Sequence, residues 1–336
     1  VILAADVGGT KTHVALYDPG ANPRSPAVDR KVASRDFPSL ERLVTSFLEG
    51  VGWRSDDRLE RVALGIAGPV VDNRADTTNL PWEDVSGAAM SDSLDGAQVA
   101  LLNDLEATAW GLATLAAGDL HTLQAGTPAA GNRALIAAGT GLGEALLVWD
   151  RGRWHPTASE GGHVDLAPRD PLEDELLAWL RERYGRVSYE RVVSGRGIAD
   201  VYRFLADTGR GEASPEVAAR FAAAEDPPAV VTEAAMAGRC GRCALALRRF
   251  VMLYGAEAGN LALKALATGG VYVGGGIAPR ILALLDDGVF MEAFVTKGRL
   301  SPVMERLPVH VIMRPETGLW GAAAYAFSQA SNQEVS

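Results

Sequence analysis

The amino-acid sequence predicts an α/β protein built from two domains. Apolar strand-like runs alternate with helix-like stretches in both halves of the chain, the pattern of layered α/β architectures. Each half also opens on the same kind of unit: an apolar strand, a Gly/Thr turn, and a second apolar strand ending in aromatic-Asp. The two copies read DVGGTKTHVALYD from Asp6 and AAGTGLGEALLVWD from Ala137. The chain is also long and apolar enough to fill a core in each half, with 336 residues, 48% hydrophobic and 22% charged.

In the first half, Val1 to Asp6 suits a buried strand. Gly8-Gly9-Thr10 makes a turn, and Thr12 to Asp18 reads as a second strand antiparallel to the first. Val62 to Ile66 and Val99 to Leu102 are short apolar runs of the buried-strand type. Asn103-Asp104 stands where the chain leaves the latter, and Leu105 to Leu115 follows with helical spacing. In the second half, Ala134 to Ala138 and Ala145 to Trp149 are strands flanking the turn Gly139-Thr140-Gly141-Leu142-Gly143. Pro171 starts a helix that runs to about Tyr184, with Pro at its first position and acids in its first turn. Gly197 to Leu205, Pro228 to Ala237 and about Cys240 to Ala267 also read as helices. Gly270 to Val273 is a short buried strand stopped by Gly274-Gly275-Gly276. Val309 to Met313 is a strand, and Gly318 to Ala330 a small-residue helix. The Pro/Gly/Asn/Asp-rich stretches 18–26 and 125–132 are surface loops.

Composition narrows the function classes. Lys and Arg number 32 against 42 Asp and Glu, a net charge of −10, and no basic block interrupts it. Nucleic acid and anionic membrane are therefore poor partners. Two Cys cannot make a disulfide framework and fit a reducing compartment, the cytoplasm. No apolar run reaches the roughly 18 residues of a spanning helix, and the N-terminal VILAADVGGTKT lacks the basic region and cleavage site of a signal peptide.

The glycine turns point to phosphate. Without a Cβ, backbone N–H groups can approach phosphate oxygens closely. Gly8, Gly9, Thr10, Lys11 and Thr12 offer one such turn with hydroxyl and ammonium donors added; Gly139, Thr140, Gly141 and Gly143 offer a second, and Gly275 and Gly276 a third. For either of the first two alone an ordinary hairpin turn is an equal reading; the set favours a nucleotide polyphosphate. Asp6, at the end of a buried strand, could hold Mg²⁺ through water, since that ion keeps most of its hydration and takes few carboxylates. A Walker A loop is absent. The G-x-G-x-x-G reading fails too, because the last spacing at 139–143 is wrong and a strand follows. Neither G-x-S-x-G nor H-E-x-x-H occurs.

Asp104 is a candidate general base, a carboxylate at a strand end facing a cleft; on spacing alone, the N-cap of the following helix is the stronger reading. Asn103 can donate to and accept from a sugar hydroxyl, or simply shape a turn. Glu160 and His163 bracket two glycines and can bond neighbouring hydroxyls. A zinc site from Glu160, His163 and Asp165 is disfavoured, with too few ligands of defined spacing and no Cys nearby. Cys240 and Cys243 form a lone C-x-x-C at a helix start; helical core or surface cysteines explain it better than redox or zinc chemistry.

Ten segments then line up with one family. DVGGTKT at 6–12, GIAGPV at 65–70, TNLPW at 78–82, LLNDLEATAWGL at 101–112, GTGLG at 139–143, SEGGHVDLAP at 159–168, ERVVSGRG at 190–197, GGVYVGGGIAPR at 269–280, KGRLSPVMERLPV at 297–309 and GLWGAAAYA at 318–326 resemble bacterial glucokinases, in family order along the whole chain. These belong to the sugar kinase, actin and heat-shock-chaperone ATPase superfamily. The resemblance implies a two-domain actin-like ATPase (ribonuclease H-like) fold with the active site in the interdomain cleft. It implies a small domain of 1–113 plus 317–336 and a large one of 114–316. It implies ATP and Mg²⁺ as cofactors, glucose phosphorylated at its 6-hydroxyl, and a homodimer. By motif match Asp104 becomes the catalytic base, which reverses the spacing argument. Asn79, Asn103, Glu160, His163 and Glu190 become sugar ligands, and the three glycine turns the nucleotide site. Three departures stand out: Ala137-Ala138 where Gly-Pro is usual, Glu144 where a small or apolar residue is common, and Arg196 where Pro is common. They leave sugar and nucleotide preference open. Another hexose or amino sugar remains an alternative substrate. A non-enzymatic sugar sensor is the other alternative, set back by the acidic charge and by a phosphate turn that starts at Asp6.

Overall fold

The computed structural model describes residues 1–53, 58–77, 80 and 82–331. The chain forms two compact units, Val1–Asp119 with Arg314–Ser336, and Leu120–Met313. Among the described residues no helix is long and apolar enough to cross a membrane.

The first unit is a five-stranded sheet. Its strands are β1 (Ile2–Val7), β2 (Lys11–Tyr17), β3 (Val28–Ala33), β4 (Arg61–Ile66) and, after a small three-stranded sheet of β5 (Val70–Val71), β6 (Arg74–Ala75) and β7 (Val85–Ser86), β8 (Gln98–Asn103). The order is β3-β2-β1-β4-β8. The β1–β2 and β2–β3 pairs are antiparallel; β1–β4 and β4–β8 are parallel. Alternate residues of β1 face opposite ways, as strand geometry requires. Leu3, Ala5 and Val7 pack with Leu40, Leu43 and Phe47 of helix α1 (Leu40–Gly50). Ile2 and Ala4 pack with Leu319, Ala322 and Ala326 of the C-terminal helix, Thr317–Ser331. Helix α2 (Gly87–Ser93) precedes β8, and α3 (Asp104–Gly111) follows it. Helix α3 and the C-terminal helix touch backbone to backbone. A Cβ on Gly321 would stand 1.7 Å from Ala107 O, and one on Gly111 2.2 Å from Thr317 O.

The second unit holds a six-stranded sheet of β9 (Leu120–Gln124), β10 (Arg133–Ala138), β11 (Leu142–Asp150), β12 (Arg153–Ser159), β13 (Val271–Gly274) and β14 (Val309–Ile312), ordered β12-β11-β10-β13-β14-β9. Its helices are α4 (Pro171–Tyr184), α5 (Gly195–Asp207), α6 (Pro215–Ala223), α7 (Pro227–Met236), α8 (Gly241–Ala265) and the shorter α9 (Leu282–Leu285), α10 (Val289–Val295) and α11 (Ser301–Met304). Asp170, Ser194, Ser214 and Asp226 cap α4 to α7 with side-chain oxygens, and Pro follows directly at three of those starts. The cap of α8 is Cys240, whose sulfur accepts from Cys243 N at 3.3 Å. Both cysteines are buried free thiols, and burial pushes the Cys243 thiol up to about 12. The C-x-x-C is therefore core structure.

Candidate active site

In the first unit, Asp6 stands in register with His13 on β2 and Gly65 on β4. Burial pushes its carboxyl up to about 6, against the opposing pull of His13. Gly318, at the start of the C-terminal helix, gives it room: a Cβ there would lie 3.0 Å from Asp6 Oδ2. The following turn is closed by Gly8 N donating to Lys11 O at 3.1 Å. Thr10 and Lys11 are exposed. Thr12 departs from expectation. It is fully buried, and its hydroxyl lies 3.0 Å from Ser34 Oγ, which donates to Gly8 O at 2.7 Å. Strand periodicity turns Thr12 inward, so it braces the turn from behind and offers no hydroxyl to a ligand.

The cap of α3 also differs from expectation. Asn103, not Asp104, is the N-cap: its Oδ1 accepts from Leu105 N at 2.9 Å and Glu106 N at 3.2 Å, and its Nδ2 donates to Gly68 O at 3.0 Å. Both acceptor sites and one donor of this buried amide are thus used, and a single N–H is left for any sugar hydroxyl. Asn103 is chiefly a positioning residue. Asp104 is the first helical residue, half-buried, with Oδ1 accepting from Leu105 N at 2.9 Å. Asn79 lies outside the described residues.

The second unit gathers the rest. Parallel strands β10 and β13 end side by side, with Ala137 opposite Gly274. The turn after β10 is closed by Gly139 N donating to Gly141 O at 2.9 Å. Thr140 is exposed at its tip. The turn after β13 needs Gly275, whose φ is +83° and whose Cβ would meet Ala138 O at 2.2 Å; Gly276 follows, exposed. Gly195, opening α5, donates its N–H to Gly139 O at 2.8 Å.

Glu190 is joined to this turn. Its Oε2 accepts from Leu142 N at 3.0 Å and lies 2.5 Å from where a Cβ on Gly141 would stand. The carbonyl of the same Leu142 touches the Glu160–His163 loop, 2.0 Å from a Cβ built on Gly162. At the loop's ends His163 Nε2 and Glu160 Oε2 lie 3.9 Å apart, both about half exposed. The loop is tied down by Gly161 N on Ser159 Oγ and by Tyr189 N on Val164 O, each at 3.0 Å. A chain of short contacts thus runs from the glycine turn through Leu142 to Glu190 on one side and the Glu160–His163 loop on the other. Backbone donors suited to phosphate and side chains suited to sugar hydroxyls thus meet at Leu142, the first residue of β11. Sequence reasoning missed the acid beneath this loop: Glu144 is fully buried, its Oε2 is 1.9 Å from where a Cβ on Gly161 would stand, and the only signal was its oddity in the motif.

A family model described as Glucokinase matches residues 3–329. The glucokinase of Trichormus variabilis is 40% identical over 340 residues, which cover 97% of this chain and 98% of the relative. The glucokinase of Synechocystis is 40% identical over 347 residues, covering 96% and 97%. Among solved structures, the glucokinase from an Antarctic psychrotroph superposes with a TM-score of 0.81 at 31% identity, covering 97% of this chain and 98% of that one. The architecture is the α/β actin-like ATPase fold of the sugar kinases, and the chain belongs to the glucokinase family.

Proposed function

We propose that this chain is an ATP-dependent glucokinase that moves the γ-phosphoryl group of ATP to the 6-hydroxyl of glucose. Family membership over nearly the whole chain supports the activity. The structural observation that carries it is the junction on β11, where Leu142 links the Gly139–Gly141 turn to Glu190 and to the loop of Glu160 and His163.

Phosphoryl transfer needs positioning, charge neutralisation and a base for the acceptor proton. In this reading Glu160, His163 and Glu190 hold the sugar hydroxyls. The N–H groups of Gly9, of Thr140 and Gly141, and of Gly275 and Gly276 cradle phosphates, in turns held shut by the N–H groups of Gly8 and Gly139, with Thr10, Thr140 and Lys11 adding side-chain donors. Asp104 takes the proton of the attacking hydroxyl. Asn103 fixes the start of α3 and so the backbone position of Asp104. Asp6 fits a divalent cation such as Mg²⁺: a buried carboxylate whose burial disfavours its charge gains from a cation, and one carboxylate suffices for an ion that keeps its waters. The ion would neutralise phosphate charge. Excluding water from the reacting groups would keep phosphoryl transfer to sugar ahead of hydrolysis. The free buried thiols suit the cytoplasm, and a homodimer, implied by the resemblance, is open to light scattering.

The test is ADP release from MgATP with and without glucose, then with mannose, fructose and glucosamine. Glucose should raise turnover by orders of magnitude and exceed the other sugars. Equal turnover without sugar sinks the reading, and preference for another hexose corrects the substrate.

A further inference from the structure

Two acids beneath the Glu160–His163 loop have no part in that chemistry. Glu144 on β11 and Glu257 on α8 are both fully buried. Among the described residues neither oxygen of Glu144 meets a hydrogen-bond donor; Oε2 of Glu257 accepts from Asn260 Nδ2 at 2.8 Å, and the polar partner of its Oε1 is the ammonium of Lys264. Ile136, the register partner of Glu144 on β10, accepts at 3.3 Å from the hydroxyl of Tyr254, one turn before Glu257 on α8, and this brings the two carboxyl groups near enough to repel each other. Positive charge nearby is scarce. Lys264 Nζ stands 3.5 Å from Glu257 Oε1 and is half exposed; Lys297 Nζ is spent on Ala256 O and Asn260 Oδ1. Two ionised carboxylates here would leave charge buried without hydrogen bonds, a costly state. A proton held between them supplies the missing bond and removes one charge, as in close carboxyl pairs that cannot both ionise. A metal cation would need more ligands, and among the described residues no three His, Cys, Asp or Glu side chains gather.

We propose that Glu144 and Glu257 share one proton and act as a positioning pair for the sugar loop, so that glucose binding weakens when the pair ionises fully. The lever is the contact with Gly161. Glu144 Oε2 is 1.9 Å from where a Cβ on Gly161 would stand, so repulsion that drives Glu144 away from α8 must displace the loop between Glu160 and His163. Ser159 lies opposite Glu144 in the β11–β12 ladder. Facing Glu144 from α8 are Glu257, Lys264 and Tyr254, and Tyr189, Lys297 and Arg169 complete the charged and titratable surroundings of Glu257 and its neighbours. Burial first, then Glu257, pushes the Glu144 carboxyl up to about 8, and burial raises Glu257 as well. Burial also lowers the Lys297 ammonium to about 8, so that residue needs its own control.

The inference rests on the loop being the sugar site, and two measurements separate the claims. Glucose affinity of the full chain, by calorimetry without nucleotide, should weaken about tenfold between roughly pH 7 and 9. Glu144→Gln, whose amide donates to Glu257 without titrating, should bind with little pH dependence, and Lys297→Met, which removes one of the charges that hold Glu257 down, should keep the weakening with its midpoint moved to higher pH. A flat wild-type profile, a Glu144→Gln profile that still climbs, or loss of the climb in Lys297→Met overturns the proposal. The second measurement needs no sugar. An unfolded Glu releases its proton near 4.5 and the folded pair keeps it to about 8, so the folded state binds more protons in that window. Melting temperature should therefore fall as pH rises from about 5 to 8 and then level off, and Glu144→Gln should lose much of this fall. A Glu144→Gln variant that melts with the full wild-type pH profile refutes the shared proton. If the wild type binds no glucose at any pH, the sugar-site reading fails and the positioning role with it, while melting alone decides whether the proton is shared.

Discussion

The two sheets follow one plan and brace it differently. Running β3-β2-β1-β4-β8 and β12-β11-β10-β13-β14, both read antiparallel, antiparallel, parallel, parallel. Each places a glycine turn between its second and third strands. In the first unit the turn is propped by neutral hydroxyls, Ser34 on Gly8 O and Thr12 on Ser34, and a buried acid, Asp6, sits at its root. In the second a carboxylate and a helix start do the propping, Glu190 on Leu142 N and Gly195 N on Gly139 O. A shared backbone plan thus leaves side-chain duties free to diverge. The first turn can serve charge chemistry through Asp6 and Lys11. The second couples to the proposed sugar residues, because its brace, Glu190, is one of them.

This division breaks most visibly at Asp104. Asp104→Asn should lower kcat by about a thousandfold, within the usual contribution of general acid–base catalysis, while calorimetric glucose affinity changes only a few-fold. Near-normal kcat would remove Asp104 as the base. Asp6 comes next. Asp6→Asn should lower kcat by about a hundredfold and raise the Mg²⁺ concentration needed for half activity. Because the folded carboxyl titrates near 6 rather than 3.8, the wild type should lose activity as pH falls through about 6, and the variant should lack that limb. Stability runs the other way. The raised value means stability declines as pH rises from about 3.8 to about 6, so above that window Asp6→Asn should be more stable than wild type, by up to about 3 kcal/mol in unfolding free energy. A variant less stable at neutral pH would contradict the origin assigned to the shift.

The shared plan was partly legible in the sequence. Both hairpins, the buried strand at Val62 and the helices from Pro171 and Cys240 carry strong signals, because burial on both faces writes continuous apolar runs and Pro or polar caps mark helix starts. Of the edge strands, β8 is legible through the apolar run from Val99 to Leu102, whose later residues are buried, but two others are not. Strand β3, VDRKVA, is mostly exposed and charged, as edges that avoid pairing usually are. Strand β12 contains Pro156 and alternates weakly. The helix expected over Leu105 to Leu115 is α-helical to Gly111, where the C-terminal helix packs closest, and tightens to a 3-10 turn over Leu112–Thr114. At the site, residue types could be read but not their allegiances. Asn103 and Asp104 are adjacent and both cap well, and the cap falls to Asn103 because its backbone is still extended, φ −62° and ψ 146°, while Asp104 is already helical. Nothing local joins Glu190 to Leu142, 48 residues away.

That long-range joint gives the next test of the comparison. Gly141→Ala should push a methyl group against Glu190 Oε2 and so disturb both substrates, raising KM for ATP and for glucose together by about tenfold, an effect of about 1.4 kcal/mol each. An increase confined to ATP would uncouple the turn from the sugar residues.

The smallest effect belongs to the neutral brace. Ser34→Ala removes the donor to Gly8 O and strands the buried Thr12 hydroxyl, whose partner at 3.0 Å is Ser34. An unsatisfied buried hydroxyl costs about 1–3 kcal/mol, so denaturant melts should show a loss in that range. Because the turn's backbone bond from Gly8 N to Lys11 O survives, KM for ATP should rise only two- to threefold by the same order-of-magnitude reasoning, and KM for glucose should not move. Thr12→Val in the same background removes the stranded hydroxyl and should restore part of the stability, since deleting both partners of a buried hydrogen bond costs less than deleting one. No such rescue is open to the second turn, where the brace is also a proposed ligand. A glucose KM that shifts with Ser34→Ala would mean the two turns are less separate in their duties than their bracing implies.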